Sequence, residues 1–227
     1  MRRGEFRKNF KSMGPVVLPV IHVLDSSQAK RNLATVIECG APGAFLINHD
    51  FDVDRFLPII EDCRRAYPDL WLGVNFLGVS GETAFPILGR LAEQGVAVDA
   101  YWADDARVDE RAAEQTAAES ITKVRSSSAW DGLYFGGTAF KKQRTVEPAN
   151  YREAAGIAAK FMDVVTTSGI ATGQSAQIQK IHDFREGLFK GRRERKQAER
   201  VPCRSRVEDN DVVVHRLHLL HELAHGT

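Results

Sequence analysis

From about residue 15 the chain alternates short, continuously apolar runs with longer stretches whose apolar residues recur at helical spacing. The runs VVLPVIHV, AFLIN, WLGVNFL, AVDAYW, GLYFGG and MDVVTTS are the predicted strands. Between them the pattern predicts helices over 26–39, 52–66, 81–94, 107–125, 148–160 and 174–186. Asp25 or Ser26 supplies a cap for the first, and Gly40 stops it once Cys39 has ended its apolar face. The strands are apolar on both faces rather than alternating, which is the mark of parallel strands covered on both sides and joined by crossover helices. The predicted class is therefore α/β, built of six βα units in the manner of a TIM barrel.

After Gly187 the alternation stops. LFKGRRERKQAERVPCRSRVEDND carries no strand-like apolar run, and only VVVH further on has strand character. A closed barrel of this kind needs eight strands, so the expectation is an incomplete barrel. Three segments follow: a basic extension over 1–13, a barrel region over 14–187 and a divergent tail over 188–227 that ends in a short helix. The abrupt turn to an arginine- and histidine-rich composition at Leu188 reads as a frameshifted or recombined end.

Composition narrows the function classes. The net charge is +1, so there is no global basic field and no nucleic-acid partner is expected. The basic runs MRRGEFRKNFK and FKGRRERKQAER are local, and they allow peripheral contact with an anionic membrane surface. Cys39, Cys63 and Cys203 are odd in number and lack close pairing, which argues against a disulfide framework or a cysteine zinc site and for a reducing cytoplasm. VVLPVIHVL is too short to span a membrane. No cofactor is indicated, and homo-oligomerisation is open because an incomplete barrel leaves strand edges.

Polar residues gather where strands end, the usual ligand face of α/β sheets and barrels. His22, Asn75 and Asp104 are the candidates for acid–base or positioning duties, since imidazole titrates near neutrality and a carboxylate can orient it. Asn48, Lys141, Ser168, Gly169, Thr172 and Gly173 are the candidates for binding a small anionic ligand. Glycine permits the close backbone approach of an anion cradle, and a helix opening after such a turn favours negative charge. Lys141 and Lys142 add charge from the neighbouring strand end.

Several strand-end motifs carry a resemblance. PVVLPVIHVL, GAPGAFLINHDF, DLWLGVNFLG, GLYFGGTAFK and MDVVTTSGIATGQ resemble the BtpA family of TIM-barrel proteins, named for a photosystem I biogenesis factor, in a bacterial branch, over about residues 14–187. The resemblance implies a barrel whose T-G-x-x-T-G turn follows the sixth strand, with Gly169, Thr172 and Gly173 matching and Ser168 departing. It also implies a seventh strand ending in Ser-Gly and an eighth ending in Gly-Thr, neither of which this sequence contains. A non-enzymatic assembly or biogenesis role is the alternative that the family name implies.

The tail offers a third reading. His221-Glu222-Leu223-Ala224-His225 matches H-E-x-x-H, in which two histidines bind zinc and the glutamate polarises bound water. At about 100° per residue, His218, His221 and His225 share roughly 60° of a helix. Against a zinc peptidase stand the lack of a third ligand after His225, a position where helices fray, and a barrel rather than a peptidase sheet upstream. No metal site is therefore assigned, with His221, His225 and Glu222 the alternative. Translating the other reading frames across the codons for His182 to Lys196 checks the frameshift: a seventh-strand motif in one of them is the expected outcome, and its absence from both counts against it.

Overall fold

A computed structural model describes residue 10, residues 16–171 and residues 174–198, with side chains to residue 189. The six strands are β1 (Val20–Val23), β2 (Gly43–Asn48), β3 (Trp71–Phe76), β4 (Ala100–Ala103), β5 (Leu133–Gly137) and β6 (Val164–Thr166). They alternate with helices α1 (Ser26–Glu38), α2 (Val53–Ala66), α3 (Gly81–Glu93), α4 (Thr116–Ser127), α5 (Tyr151–Phe161) and α6 (Ile178–Ala198). All strands are parallel, in the order β1-β2-β3-β4-β5-β6. The described residues thus form six βα units of a TIM-like barrel, short of the eight that close one.

The local chemistry accounts for the boundaries. The Asp25 carboxylate caps α1 by accepting from Gln28 N at 2.7 Å, and Asp52 caps α2 through Arg55 N at 2.9 Å. At the other end of α1, Gly40 takes a φ of 72°. Gly40 N donates to Ile37 O at 2.9 Å and Ala41 N to Val36 O at 3.1 Å, the paired bonds of a Schellman stop.

Two predicted helices differ at their starts. The helix expected over 107–125 begins only at Thr116, because aspartates capture the preceding backbone. Asp105 accepts from Arg107 N, Asp109 accepts from Arg111 N, and the Gln115 side chain binds Asp109 on both sides. Such local side-chain bonds compete with helical ones. The helix expected over 174–186 begins at Ile178 and continues past Gly187 to Ala198. Leu188 is buried in the core, so the packed unit reaches beyond the predicted break.

Strand parity sorts the core into two layers. Ile21, Val23, Ala44, Leu46, Leu72, Val74, Phe76, Tyr101, Tyr134 and Val165 face the helices. Phe45, Trp71, Ala100, Trp102, Leu133, Phe135 and Val164 face the barrel interior, joined there by Leu18, Phe140 and Phe10. Inside, the Phe45 ring meets Trp71, Trp102 and Phe135 edge-on at centroid distances of 5.3, 5.6 and 5.2 Å. These contacts fill the interior with aromatic rings rather than leaving a pore.

At the amino-terminal ends of the strands one device occurs twice. Arg64 of α2 reaches Asp99, just before β4, at 2.7 Å, and Asp99 also accepts from Leu72 N at 2.8 Å. Two βα units on, Arg125 of α4 reaches Asp163, just before β6, at 2.5 Å, and Asp163 accepts from Tyr134 N at 2.9 Å. Each aspartate thus joins the incoming strand to its neighbour and to the helix behind it. Asp99→Ala strips Arg64 and Leu72 N of their shared acceptor and is expected to cost about 2 kcal/mol, the scale of a charged hydrogen bond. The urea midpoint read against wild type checks it.

Candidate functional site

Period-two alternation carries the interior face upward to the carboxyl ends. Two residues beyond Val20 stands His22, beyond Gly73 stands Asn75, beyond Trp102 stands Asp104, beyond Phe135 stands Gly137, and beyond Val164 stands Thr166. At about 3.3 Å per residue this polar tier lies roughly 6.6 Å above the aromatic floor on the same strands. Register ties the tier together: His22 pairs with Ile47, Ile47 with Asn75, and Gly137 with Thr166.

The centre of the tier is a side-chain pair. Asn75 Nδ2 donates to Asp104 Oδ1 at 2.9 Å, while Asn75 is only 1% exposed. Burial raises the Asp104 carboxyl above the ordinary carboxylate range, opposed by the Asn75 hydrogen bond and by the positive charges of Lys141 and Lys142. Lys141 is lowered, also chiefly by burial, with the Asp104 charge acting the other way. A carboxyl and an ammonium are thus brought toward one another in titration by the same desolvation. Asn75 Oδ1 and Thr166 Oγ1 are buried without hydrogen-bond partners, and so is Thr138 Oγ1.

Gly137 is obligatory beside this pair: a methyl there would run into the backbone carbonyl of Asp104. Gln143 fastens the same loop: its Nε2 donates to Asp104 O, and its Oε1 accepts from Phe140 N at 2.9 Å.

The other predicted residues fall in three groups. His22 shares the interior face, with its ring 5.5 Å from that of His49; the carboxylate of Asp104 is bonded to Asn75, not to His22 as its orienting group. Asn48 shares parity with Ala44 and Leu46 on the helix-facing side. Its amide is spent on backbone, donating to Phe51 O at 2.7 Å and accepting from Leu77 N at 3.1 Å. Ser168 is likewise committed, its Oγ accepting from Lys141 N and donating to Gly169 O, both at 2.7 Å.

Gly169 is needed for chain approach, since a methyl would collide with Gln174 O. The turn it begins does not open a helix directly, because α6 starts at Ile178. The expected alignment of a glycine-rich turn with a helix amino terminus is therefore corrected. Thr172, Gly173, His221, Glu222 and His225 lie outside the described residues. Among the described residues no three His, Cys, Asp or Glu side chains are grouped to hold a metal ion, and no helix is long and apolar enough to cross a membrane.

Sequence reasoning missed Lys180. This α6 residue is 8% exposed, and its ammonium donates to Ala139 O at 2.6 Å and Ser168 O at 2.9 Å, with the Tyr151 ring 5.1 Å away. It fastens the loop after β5 to the loop after β6, and thereby the backbone that carries Lys141. A lysine on a helix is ordinarily read as solvated, so no pattern in the sequence marked it.

Two surface concavities, of about 310 and 240 Å3, open at the opposite ends of the strands. The larger is lined by Arg125 and Asp163, which already bind each other, and by Thr122, Ser126 and Ser128, whose hydroxyls bond to backbone carbonyls. The buried acceptors without partners, Asn75 Oδ1 and Thr166 Oγ1, lie instead in the polar tier.

No protein-family model matches the chain, and no curated protein matches it. Solved structures do. A mandelate racemase/muconate lactonizing enzyme from Roseiflexus sp. aligns with a TM-score of 0.54 at 14% identity, covering 84% of this chain and 49% of that one. A dipeptide epimerase from Enterococcus faecalis, complexed with Mg and the dipeptide L-Leu-L-Tyr, aligns at 0.52 with 9% identity, covering 78% and 44%. An enolase from Bradyrhizobium, complexed with magnesium and mandelic acid, aligns at 0.51 with 18% identity, covering 81% and 43%. The chain spans less than half the length of each of these, and at such identities the likeness shows the fold alone.

Burial pushes the Lys180 ammonium down to about 8, whereas in an unfolded chain it titrates near 10.4. Between those values the unfolded chain holds a proton that the folded one has shed, so the Lys180 contribution to stability rises as pH climbs through that window. Below pH 8 its penalty is fully present. Cys63, whose thiol burial pushes up to about 11, pulls the other way over much of the window. Urea unfolding of wild type and Lys180→Met from pH 7.5 to about 9.5 separates the two: the wild type is expected to gain stability relative to the variant as pH rises.

Proposed function

We propose that the chain is a BtpA-like barrel protein that binds a small anionic ligand, phosphorylated or carboxylated, at the carboxyl ends of its strands. The observation that carries this reading is the buried Asn75–Asp104 pair on the interior face of the barrel, whose carboxyl feels the positive charge of Lys141. Lys141 is the cation for the ligand. A partly desolvated ammonium attracts an anion more strongly than a solvated one does.

Asp104 is the group in the tier suited to take up or release a proton, because burial already favours its neutral form. Asn75 is its positioning residue, and His22 stands on the same interior face. Whatever the ligand, its negative charge arrives beside the Asp104 carboxylate and disfavours ionisation there further. Binding is therefore coupled to proton uptake. The fold supports a ligand at this end through the general habit of such barrels, whose amino-terminal face serves stability.

Sulfate is a suitable probe, since it keeps its double charge between pH 5 and 7. Calorimetric titration is expected to show affinity rising as pH falls through that range, because protonation of Asp104 removes a repulsion. Lys141→Met is expected to weaken binding about tenfold. Asp104→Asn is expected to bind sulfate more tightly than wild type at pH 7. A wild type indifferent to sulfate up to about 10 mM, or one unaffected by Lys141→Met, overturns the reading.

A further inference from the structure

Asn75 has a fixed orientation for an electrostatic reason. Its Nδ2 faces Asp104 Oδ1 at 2.9 Å, and of the two ends of an amide only the NH2 can face a carboxylate without repulsion. The carbonyl end is then set by default, and Asn75 Oδ1 is left buried with no donor. The residue is 1% exposed and on an interior strand position, so this acceptor faces the barrel interior and not bulk water. Thr166, at 0% exposed, also on an interior position, likewise leaves its Oγ1 without a partner. An unpaired buried acceptor is costly, and native structures retain one where something else completes it.

Resting on the anion reading above, we propose that the ligand carries a hydroxyl or N–H donor next to its anionic group, and that Asn75 Oδ1 accepts from it. Sulfate, or the dianion of a phosphate monoester that bears no hydroxyl, has no donor to offer Asn75. The chemical class is a hydroxylated anion: a small polyol monophosphate or hydroxy acid, its charged end at Lys141 and its hydroxyl at Asn75. Asp104, bonded to the other end of the same amide, couples the two halves of the site. A site built to meet a hydroxyl discriminates strongly against an analogue lacking one, since its own polar group is otherwise left unmet.

The probes are glycerol 3-phosphate and methyl phosphate, titrated by calorimetry into the full chain at pH 7.5, with far-UV circular dichroism confirming the fold of each variant. Wild type is expected to bind glycerol 3-phosphate about tenfold more tightly than methyl phosphate, the scale of one buried hydrogen bond to a previously unmet group. Asn75→Leu, close in volume and without the acceptor, is expected to erase that preference while methyl phosphate still binds. Thr166→Val is a second, milder variant that is expected to narrow the preference should Asn75→Leu fail to fold. Equal affinity of wild type for the two probes, or a preference that survives Asn75→Leu, overturns this inference and leaves the anion site standing. Failure of wild type to bind either probe overturns the anion site itself and this inference with it.

Discussion

Everything in this molecule depends on the pleat of a parallel strand that is covered on both sides. Successive side chains alternate between the helix layer and the barrel interior, so one choice of parity allots every residue of a strand. Once Phe45 and Trp102 are inside, Leu46 and Tyr101 must face the helices, and Asp104 must rise above Trp102 on the inner wall. The aromatic floor and the polar tier are thus one arrangement seen at two heights. Moving a strand by one residue would place the Asp104 carboxylate against helices and Tyr101 in the interior, which is why register is so strongly specified where both faces are buried.

The two ends of the strands divide the work. At the amino-terminal end, the arginines that could bind anions are consumed: Arg64 donates to Asp99 and to the carbonyls of Ala97 and Leu70, and Arg125 to Asp163 and Gly132 O. Their charges are neutralised and their donors spent, so these sites hold the barrel together. At the carboxyl end the balance differs. Asp104 and Lys141 act on one another electrostatically while burial works against the charge of each. Groups held so are expensive to keep and responsive to whatever charge arrives, the condition expected of a binding site rather than a brace.

The alternation of apolar runs made the six strands and the order of the helices legible, because a continuous apolar strand flanked by an amphipathic stretch has few other ways to bury itself. That same two-sided apolarity hid the parity. AFLIN gives no sign of whether Leu46 or Ile47 lies inside, so Asn48 read as a rim residue although it belongs to the helix side. His22, Asn75 and Asp104 were legible as polar residues at strand ends; their alignment on one face follows from register, which pairs residues far apart in sequence. The delayed start of α4 was legible in principle, in the aspartates at 105 and 109 that bind their own backbone. Lys180 was not, since its partners Ala139 O and Ser168 O are backbone atoms that leave no trace in composition.

β6 shows how far side chains can stand in for a ladder. It is three residues long and, among the described residues, has β5 alone as a neighbour. A short edge strand is held weakly by its hydrogen bonds. At its base Asp163 is clamped by Arg125; at its top Thr138 N donates to Thr166 O at 2.9 Å, Thr167 Oγ1 to Ala139 O at 3.3 Å, and Lys180 spans both loops. Covering by α5 and α6 supplies the apolar part, with Ala155, Ala158, Phe184 and Leu188 in the helix-facing core. The position of Thr166 in the polar tier therefore follows from these clamps more than from the sheet. Because Lys141 N also hangs on Ser168 Oγ, the same clamps place the backbone of Lys141, so the geometry of the rim on this side is set in part by the buried Lys180.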